Sequence, residues 1–317
     1  MTGETRRPGP AGAFRIGRVL GAGIFVRPGL VVMGAALVLL LGPRFERSGT
    51  DDPYLVAFAL IVALYVSVLL HEIAHVVVAR SYGMDVASVT LHLLGGETLI
   101  EGESRSARQE LLTAGSGPLA SLLVGLAALG VAGAAGDGTA STVWWSIGWV
   151  NVIVAGFNLL PGLPLDGGRV LRAIIWAVTG RELTGIRVAA WIGRVAAVAA
   201  TVFGAVRAAA GGAAGYLDLA VAGLVSVFLW QGASQALRVA DRAGRIESLV
   251  ASRLAVDVDD RDTSDLPRLP SDLGGVALLR AITRVPADTY LLVDPDGHDV
   301  GLLRRDDLSD AYREGSP

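Results

Sequence analysis

The chain has 317 residues, 52% of them hydrophobic, a mean hydropathy of +0.53 and a formal net charge of −3. That charge offers no electrostatic basis for a nucleic-acid partner. The absence of cysteine excludes disulfides and thiolate metal ligands and leaves His, Asp and Glu. The apolar residues fall in blocks of roughly 15–25, the length that crosses a hydrocarbon core of about 30 Å, so the composition is that of a polytopic membrane protein. Usage rich in Ala, Gly and Val, with Arg as the only basic residue besides His, is that of a high-G+C bacterial genome. No charged stretch, apolar core and small-residue cleavage site follow one another at the N-terminus, so no signal peptide is expected.

In chain order, residues 1–27 read as a cytoplasmic leader carrying Arg6, Arg7, Arg15, Arg18 and Arg27. Six spans follow, at roughly 28–43, 54–79, 110–134, 142–160, 188–209 and 216–237. Arginines crowd the leader, the loop between spans two and three, the loop between four and five, and the segment after six. The opposite loops hold few, so the positive-inside rule puts both termini in the cytoplasm. Between spans two and three, "SYGMDVASVTLHLLGGETLIEGESRSAR" (81–108) alternates β-branched residues around Gly95 and Gly96, the pattern of a hairpin. Such backbone persists at membrane depth only where protein or a wet cavity covers it. After about residue 246 the chain turns acidic and Pro-bearing. "DDRDTSDLPRLPSD" reads as a loop, and the segments after it as helix, strand, Pro-Asp-Gly turn, strand and helix. The expected fold is a polytopic α-helical membrane protein of about six transmembrane helices, with a membrane-associated β-hairpin and a small C-terminal cytoplasmic α/β domain. Its domains are the leader 1–27, a membrane domain 28–245 and the α/β domain 246–317.

The chemistry gathers in "LLHEIAHVVVAR" (69–80). His71 and His75, four residues apart on a helix, share one face and can reach one Zn²⁺ together. Glu72 lies about 100° round the helix, beside the metal, where it can take a proton from a water. HExxH also arises by chance. A central intramembrane charge, however, costs roughly 2.5–3.5 kcal/mol on insertion scales, so ionisable residues there are functional candidates. A hydrolytic zinc site wants a third protein ligand and an open position. "FNLLPGLPLDGGRVLRA" (157–173) offers Asp166, read either as an acid turned inward where Pro and Gly break the helix or as part of an Asp-Gly turn between spans. Arg169 and Arg172 mark the membrane interface in this reading. Arg194, inside the fifth span, either snorkels to the cytoplasmic surface or meets an acid across the bundle.

Taken together, "HEIAHVVVARSYGMDV", "LLGGETLIEGE", "AGSGPLASLL" and "FNLLPGLPLDGGRVLRA" resemble, in that order, the site-2 protease family of intramembrane zinc metalloproteases, over about residues 13–240. The resemblance implies zinc held by His71, His75 and Asp166, with Glu72 as general base. It implies that Asn158 helps hold the substrate strand and that the hairpin at Gly95 and Gly96 lines the cleft. It further implies single-span membrane proteins as substrates within the lipid bilayer, anti-sigma factors among them. Ser121 departs from the Asn frequent in the family after Gly-Pro, a difference assigned to packing. His92 is assigned to the cleft wall. Residues 250–314 resemble, more loosely, one cystathionine-β-synthase (CBS) repeat. Such repeats work in pairs, so either two chains pair theirs in a homodimer or the domain is a degenerate packing unit; with no phosphate-cradling loop, nucleotide sensing is the lesser reading. Two competing readings are a non-catalytic membrane metal-binding or transport protein, and a prenyl-processing type of zinc protease with Glu as third ligand. The first has no use for Glu72 beside two ligands, and the placement of Asp166 argues against the second.

Overall fold

The computed structural model describes residues 10–46, 52–92, 95–102, 104–136, 138–211, 213–258 and 263–314. Arg6 and Arg7 of the leader, most of the first outer loop and the tip of the 81–108 hairpin lie outside the described residues. The chain divides into two compact units, 1–234 and 235–317.

Part of the stretch read as a leader folds. Strands β1 (Phe14–Val19) and β2 (Ala22–Val26) pair antiparallel across a two-residue loop. Leu20 (φ 46°) and Gly21 (φ 86°) both take the left-handed backbone that a tight hairpin turn needs. The parallel partner of β2 is β3 (Asp85–His92), and β3 pairs antiparallel with β4 (Gly95–Glu101). The four-stranded sheet therefore runs β1-β2-β3-β4, with β4 at one edge. Its apolar side, with Ala22, Val86 and Val89, packs on Val76 and Ala79 of the helix that bears the histidines.

Helices α1 (Pro28–Glu46), α2 (Pro53–Ser81), α3 (Ala107–Ala134), α4 (Thr139–Asn158), α6 (Glu182–Ala209) and α7 (Ala213–Ser248) are long and apolar enough to cross a membrane. Proline opens α1 and α2, where its missing N–H leaves no intrahelical bond unmade. Ser106 caps α3 by accepting from the Gln109 amide. Between apolar helices in lipid the hydrophobic effect gives little drive, and close backbone approach takes over. A Cβ on Gly125 of α3 would lie 3.0 Å from the Gly148 carbonyl of α4, and one on Gly204 of α6 only 2.5 Å from Ala222 of α7.

The fourth and fifth predicted spans are joined by a feature that reading lacks, α5 (Asp166–Thr179), a 14-residue helix. Residues 159–165 cross to it in irregular backbone, which Leu163 pins by donating from its amide to the Ala189 carbonyl at 3.1 Å. Gly193 lets this segment in: a Cβ there would stand 2.2 Å from the Leu163 carbonyl oxygen. Gly168 faces Gly162 at a comparable 2.3 Å. The glycines of "PGLPLDGG" therefore serve backbone-to-backbone packing, and the packing sets Asp166 at the first turn of α5.

In the second unit, β5 (Arg268–Pro270) pairs parallel with β6 (Thr289–Val293), and β6 antiparallel with β7 (Asp299–Arg304). Helices α8 (Gly275–Arg284) and α9 (Arg305–Glu314) complete it. The strand β5 lies within the stretch read as loop. Leu249, Leu278, Tyr290, Leu292 and Leu303 make the core. The buried Tyr290 hydroxyl accepts from the Ala287 amide and donates to the Val285 carbonyl, both at 2.9 Å.

Candidate metal centre

One turn of α2 buries three ionisable side chains: His71, Glu72 and His75 are 5%, 6% and 3% exposed. Their rings and carboxylate meet α3, α5 and β4, so four elements build the site. The imidazoles of His71 and His75 stand 4.9 Å apart, edge to face. Asp166 Oδ2 lies 3.0 Å from His71 Nε2 and 3.3 Å from His75 Nε2.

The other ring nitrogens bear on what this cluster can hold. His75 Nδ1 sits 2.7 Å from the Thr113 carbonyl oxygen, which only accepts, so Nδ1 carries the proton and neutral His75 presents a bare Nε2. Ser121 Oγ, 3.0 Å from His71 Nδ1, can hold His71 in the same tautomer. With both rings in that tautomer, two imidazole nitrogens and a carboxylate oxygen converge, each able to offer a lone pair to one cation. There is room for one. A Cβ built on Gly117 of α3 would fall 2.3 Å from His75 Nε2 and 2.5 Å from His71 Nε2, so glycine keeps the space beside both nitrogens clear. Two His and one Asp, with space at the nitrogens, fit the donor set and open position of a hydrolytic zinc site.

Glu72 is outside this cluster, whose donor atoms all lie within 4.8 Å of one another. Its Oε2 accepts from the Thr98 hydroxyl of β4 at 2.6 Å. Gly96 makes that approach possible, since a Cβ there would stand 2.4 Å from Glu72 Cγ. Behind Asp166, Arg169 donates from Nε to Glu110 Oε1 at 3.0 Å, and its Nη1 lies 3.7 Å from Asp166 Oδ1. Glu110, 3% exposed, also accepts from Ser104 Oγ at 2.6 Å and faces Arg172 Nη1 at 3.8 Å. Arg172 donates to Glu182 as well. These two arginines thus belong to a buried ion-pair network around Glu110.

Comparison with known proteins gives this geometry its context. The profile of peptidase family M50 matches residues 59–138 and 131–203. A protein named as a zinc metalloprotease in Synechocystis sp. is 30% identical over 312 residues, 93% of this chain and 76% of that one.

The chain belongs to peptidase family M50, the family of the site-2 proteases.

It is a site-2 type metalloprotease, and its six apolar helices make it a multi-pass membrane protein. The zinc metalloprotease Rip3 of Mycobacterium tuberculosis is 40% identical over 166 residues, 51% of this chain and 42% of Rip3. Among solved structures, the site-2 protease of Methanocaldococcus jannaschii aligns with a TM-score of 0.51 at 27% identity, over 71% of this chain and 95% of that one.

Within this M50 fold, His71, Glu72, His75, Asp166 and Gly96 come together. Gly95 starts β4 opposite His92. Asn158 does not reach the cluster through any described contact; its amide donates to Val154 in its own helix. His92 ends β3 and is not part of the His71, His75 and Asp166 group. Ser121, read from sequence as packing, touches a candidate ligand. Thr98, Thr113, Gly117 and Glu110 escaped the sequence reading. Of these, Thr98 in "LLGGETLIEGE" and Gly117 in "AGSGPLASLL" stood in motifs singled out there.

Proposed function

We propose that the chain is a zinc-dependent intramembrane endopeptidase that cuts the transmembrane segments of single-span membrane proteins, with His71, His75 and Asp166 as ligands and Glu72 as general base. The observation that carries this reading is the convergence of three acceptor atoms beside Gly117, with a separately held carboxylate next to them. Zinc, when bound, lowers the pKa of a water to about 7 and polarises the scissile carbonyl. The rest belongs to the chain. Glu72 takes the proton of the attacking water and hands it to the departing amide nitrogen. Thr98 holds the carboxylate for that transfer, and the Nδ1 contacts of His71 and His75 hold their rings. A helical substrate must unwind first, because its carbonyls are engaged along the helix. The edge strand β4, which carries Gly96 and Thr98, offers backbone with which an unwound segment can pair; Asn158 at the end of α4 is proposed to help hold that segment. The arginine distribution supports a bacterial inner membrane protein with both termini in the cytoplasm. Anti-sigma factors are a fitting substrate class for such a protease.

Glu72→Gln is expected to abolish cleavage of a single-span substrate while zinc stays at wild-type stoichiometry by elemental analysis. Near-normal turnover in that variant would sink the mechanism. For residues 250–314, the one-repeat architecture supports pairing of two chains as CBS-like modules. The same oligomeric state for the full chain and a chain ending at residue 249, by light scattering in detergent, would remove that dimer.

A further inference from the structure

Of the two expectations set out for Arg194, the acid across the bundle is not met among the described residues. Its guanidinium lies between two indoles, 4.9 Å from the Trp191 ring of α6 and 5.0 Å from the Trp230 ring of α7. Nη2 donates to Ser234 Oγ at 3.1 Å, while the buried Nε has no hydrogen-bond partner. Among the described residues no carboxylate pairs with it. A guanidinium has five N–H donors and cannot shed its charge, so cation–π contacts and one hydroxyl leave it under-satisfied in an apolar medium.

Next to it is a groove of about 640 Å³ between α6 and α7, walled by Trp191, Val198, Val202, Phe203 and Trp230, with Arg194 as its charged lining residue. Val202 and Phe203 are 56% and 63% exposed, so the groove opens outward from the bundle. Arg194 stands toward one end of the apolar run of α6, about 10 Å of helix from Arg187 and about 20 Å from Arg207. A long arginine side chain at that depth can bring its head group close to the level of the lipid phosphates. One cation at one end of an apolar trough matches a molecule with an anionic head and a long tail.

We propose that this groove binds an anionic phospholipid, its phosphate on Arg194 and an acyl chain along Val198, Val202 and Phe203. The lipid supplies the acceptors and the negative charge that the protein withholds. The site is separate from His71, His75 and Asp166, so it stands or falls independently of the protease mechanism.

The two indoles make the test direct. The full chain is reconstituted in phosphatidylcholine vesicles, and tryptophan emission is followed as acyl-brominated phosphatidylglycerol or acyl-brominated phosphatidylcholine replaces part of the host lipid. A Trp191→Phe/Trp230→Phe chain supplies the signal of the remaining tryptophans for subtraction. Half-quenching is expected at an about fivefold lower fraction of the glycerol lipid, the ratio that one basic side chain near a membrane surface gives. Arg194→Gln should abolish that preference. Val198→Phe, which narrows the trough and leaves the charge in place, should weaken quenching of Trp191 and Trp230 by both lipids, and it decides the matter if Arg194→Gln does not fold. Equal quenching by the two lipids in the wild-type chain overturns the proposal. A preference that survives both variants also overturns it.

Discussion

Two clusters of ionisable groups meet on the first turns of α5, and they are built on opposite principles. Around Glu110 opposite charges pair: Arg169 and Arg172 donate, Glu110 and Glu182 accept, and Ser104 satisfies the remaining Glu110 oxygen, while Arg172 Nε stays without a partner. Three residues before Arg169, Asp166 turns Oδ2 to His71 Nε2 and His75 Nε2 and Oδ1 toward Arg169. The first network pairs opposite charges, whereas the second gathers three groups that can each offer a lone pair to one cation. The contrast sets the candidate site apart from its surroundings. It also separates Asp166 from its neighbours, since Arg169 contacts Oδ1 and leaves Oδ2 to the histidines.

The largest expected effect breaks the unbalanced cluster from outside. Gly117→Ala puts a methyl group where the Nε2 atoms open, 2.3 Å from His75 and 2.5 Å from His71. Zinc and cleavage should both be lost while the helices remain, as read by elemental analysis beside far-ultraviolet circular dichroism. Retained stoichiometric zinc would mean that the metal enters from another side. Next comes the balanced cluster. Glu110→Ala leaves two half-buried arginines without their shared acid, and loss of one partner of a fully buried pair costs about 3–5 kcal/mol, an upper bound here. Thermal unfolding in detergent should show that loss, and an Arg169→Met second substitution should recover part of it. If Glu110→Ala were as stable as wild type, the network would be ornamental. The smallest effect sharpens the division of labour. Thr98→Val removes the hydroxyl that donates to Glu72 at 2.6 Å, a hydrogen bond to a charged group worth about 1.5–3 kcal/mol. Turnover should fall roughly ten- to a hundredfold at unchanged zinc content. A fall in zinc instead would make Thr98 a prop of the metal site.

The same contrast explains how much the sequence could tell. His71, Glu72 and His75 were legible because helical spacing alone puts them on one turn. Asp166 could be found because Pro and Gly mark where α4 must stop. Six apolar blocks announce six helices by length. The 14 residues of α5 are too few to span a bilayer, so a search for blocks of about 20 passes over them. The strands β1 and β2 are hidden in a short Arg-bearing stretch whose Leu-Gly turn lacks the usual Asn-Gly signal. The supporting residues were beyond reach for a different reason. Thr113 acts on a histidine 38 residues away, Ser121 on one 50 away, and Glu110 on an arginine 59 away. Such partners are set by tertiary packing, and nothing local in the sequence encodes them. Arg194 is a middle case: its oddity was visible, but the tryptophan on α7 that answers it was not.

The central claim is that the open group on α2 and α5 is a zinc site closed by Asp166. X-ray absorption at the zinc edge on the full chain tests this most directly. The account predicts two imidazole nitrogens and carboxylate oxygen at about 2.0–2.2 Å, with the zinc lost or its shell changed in Asp166→Ala. A shell without two histidines in the wild-type chain, or one unaltered in Asp166→Ala, would contradict it.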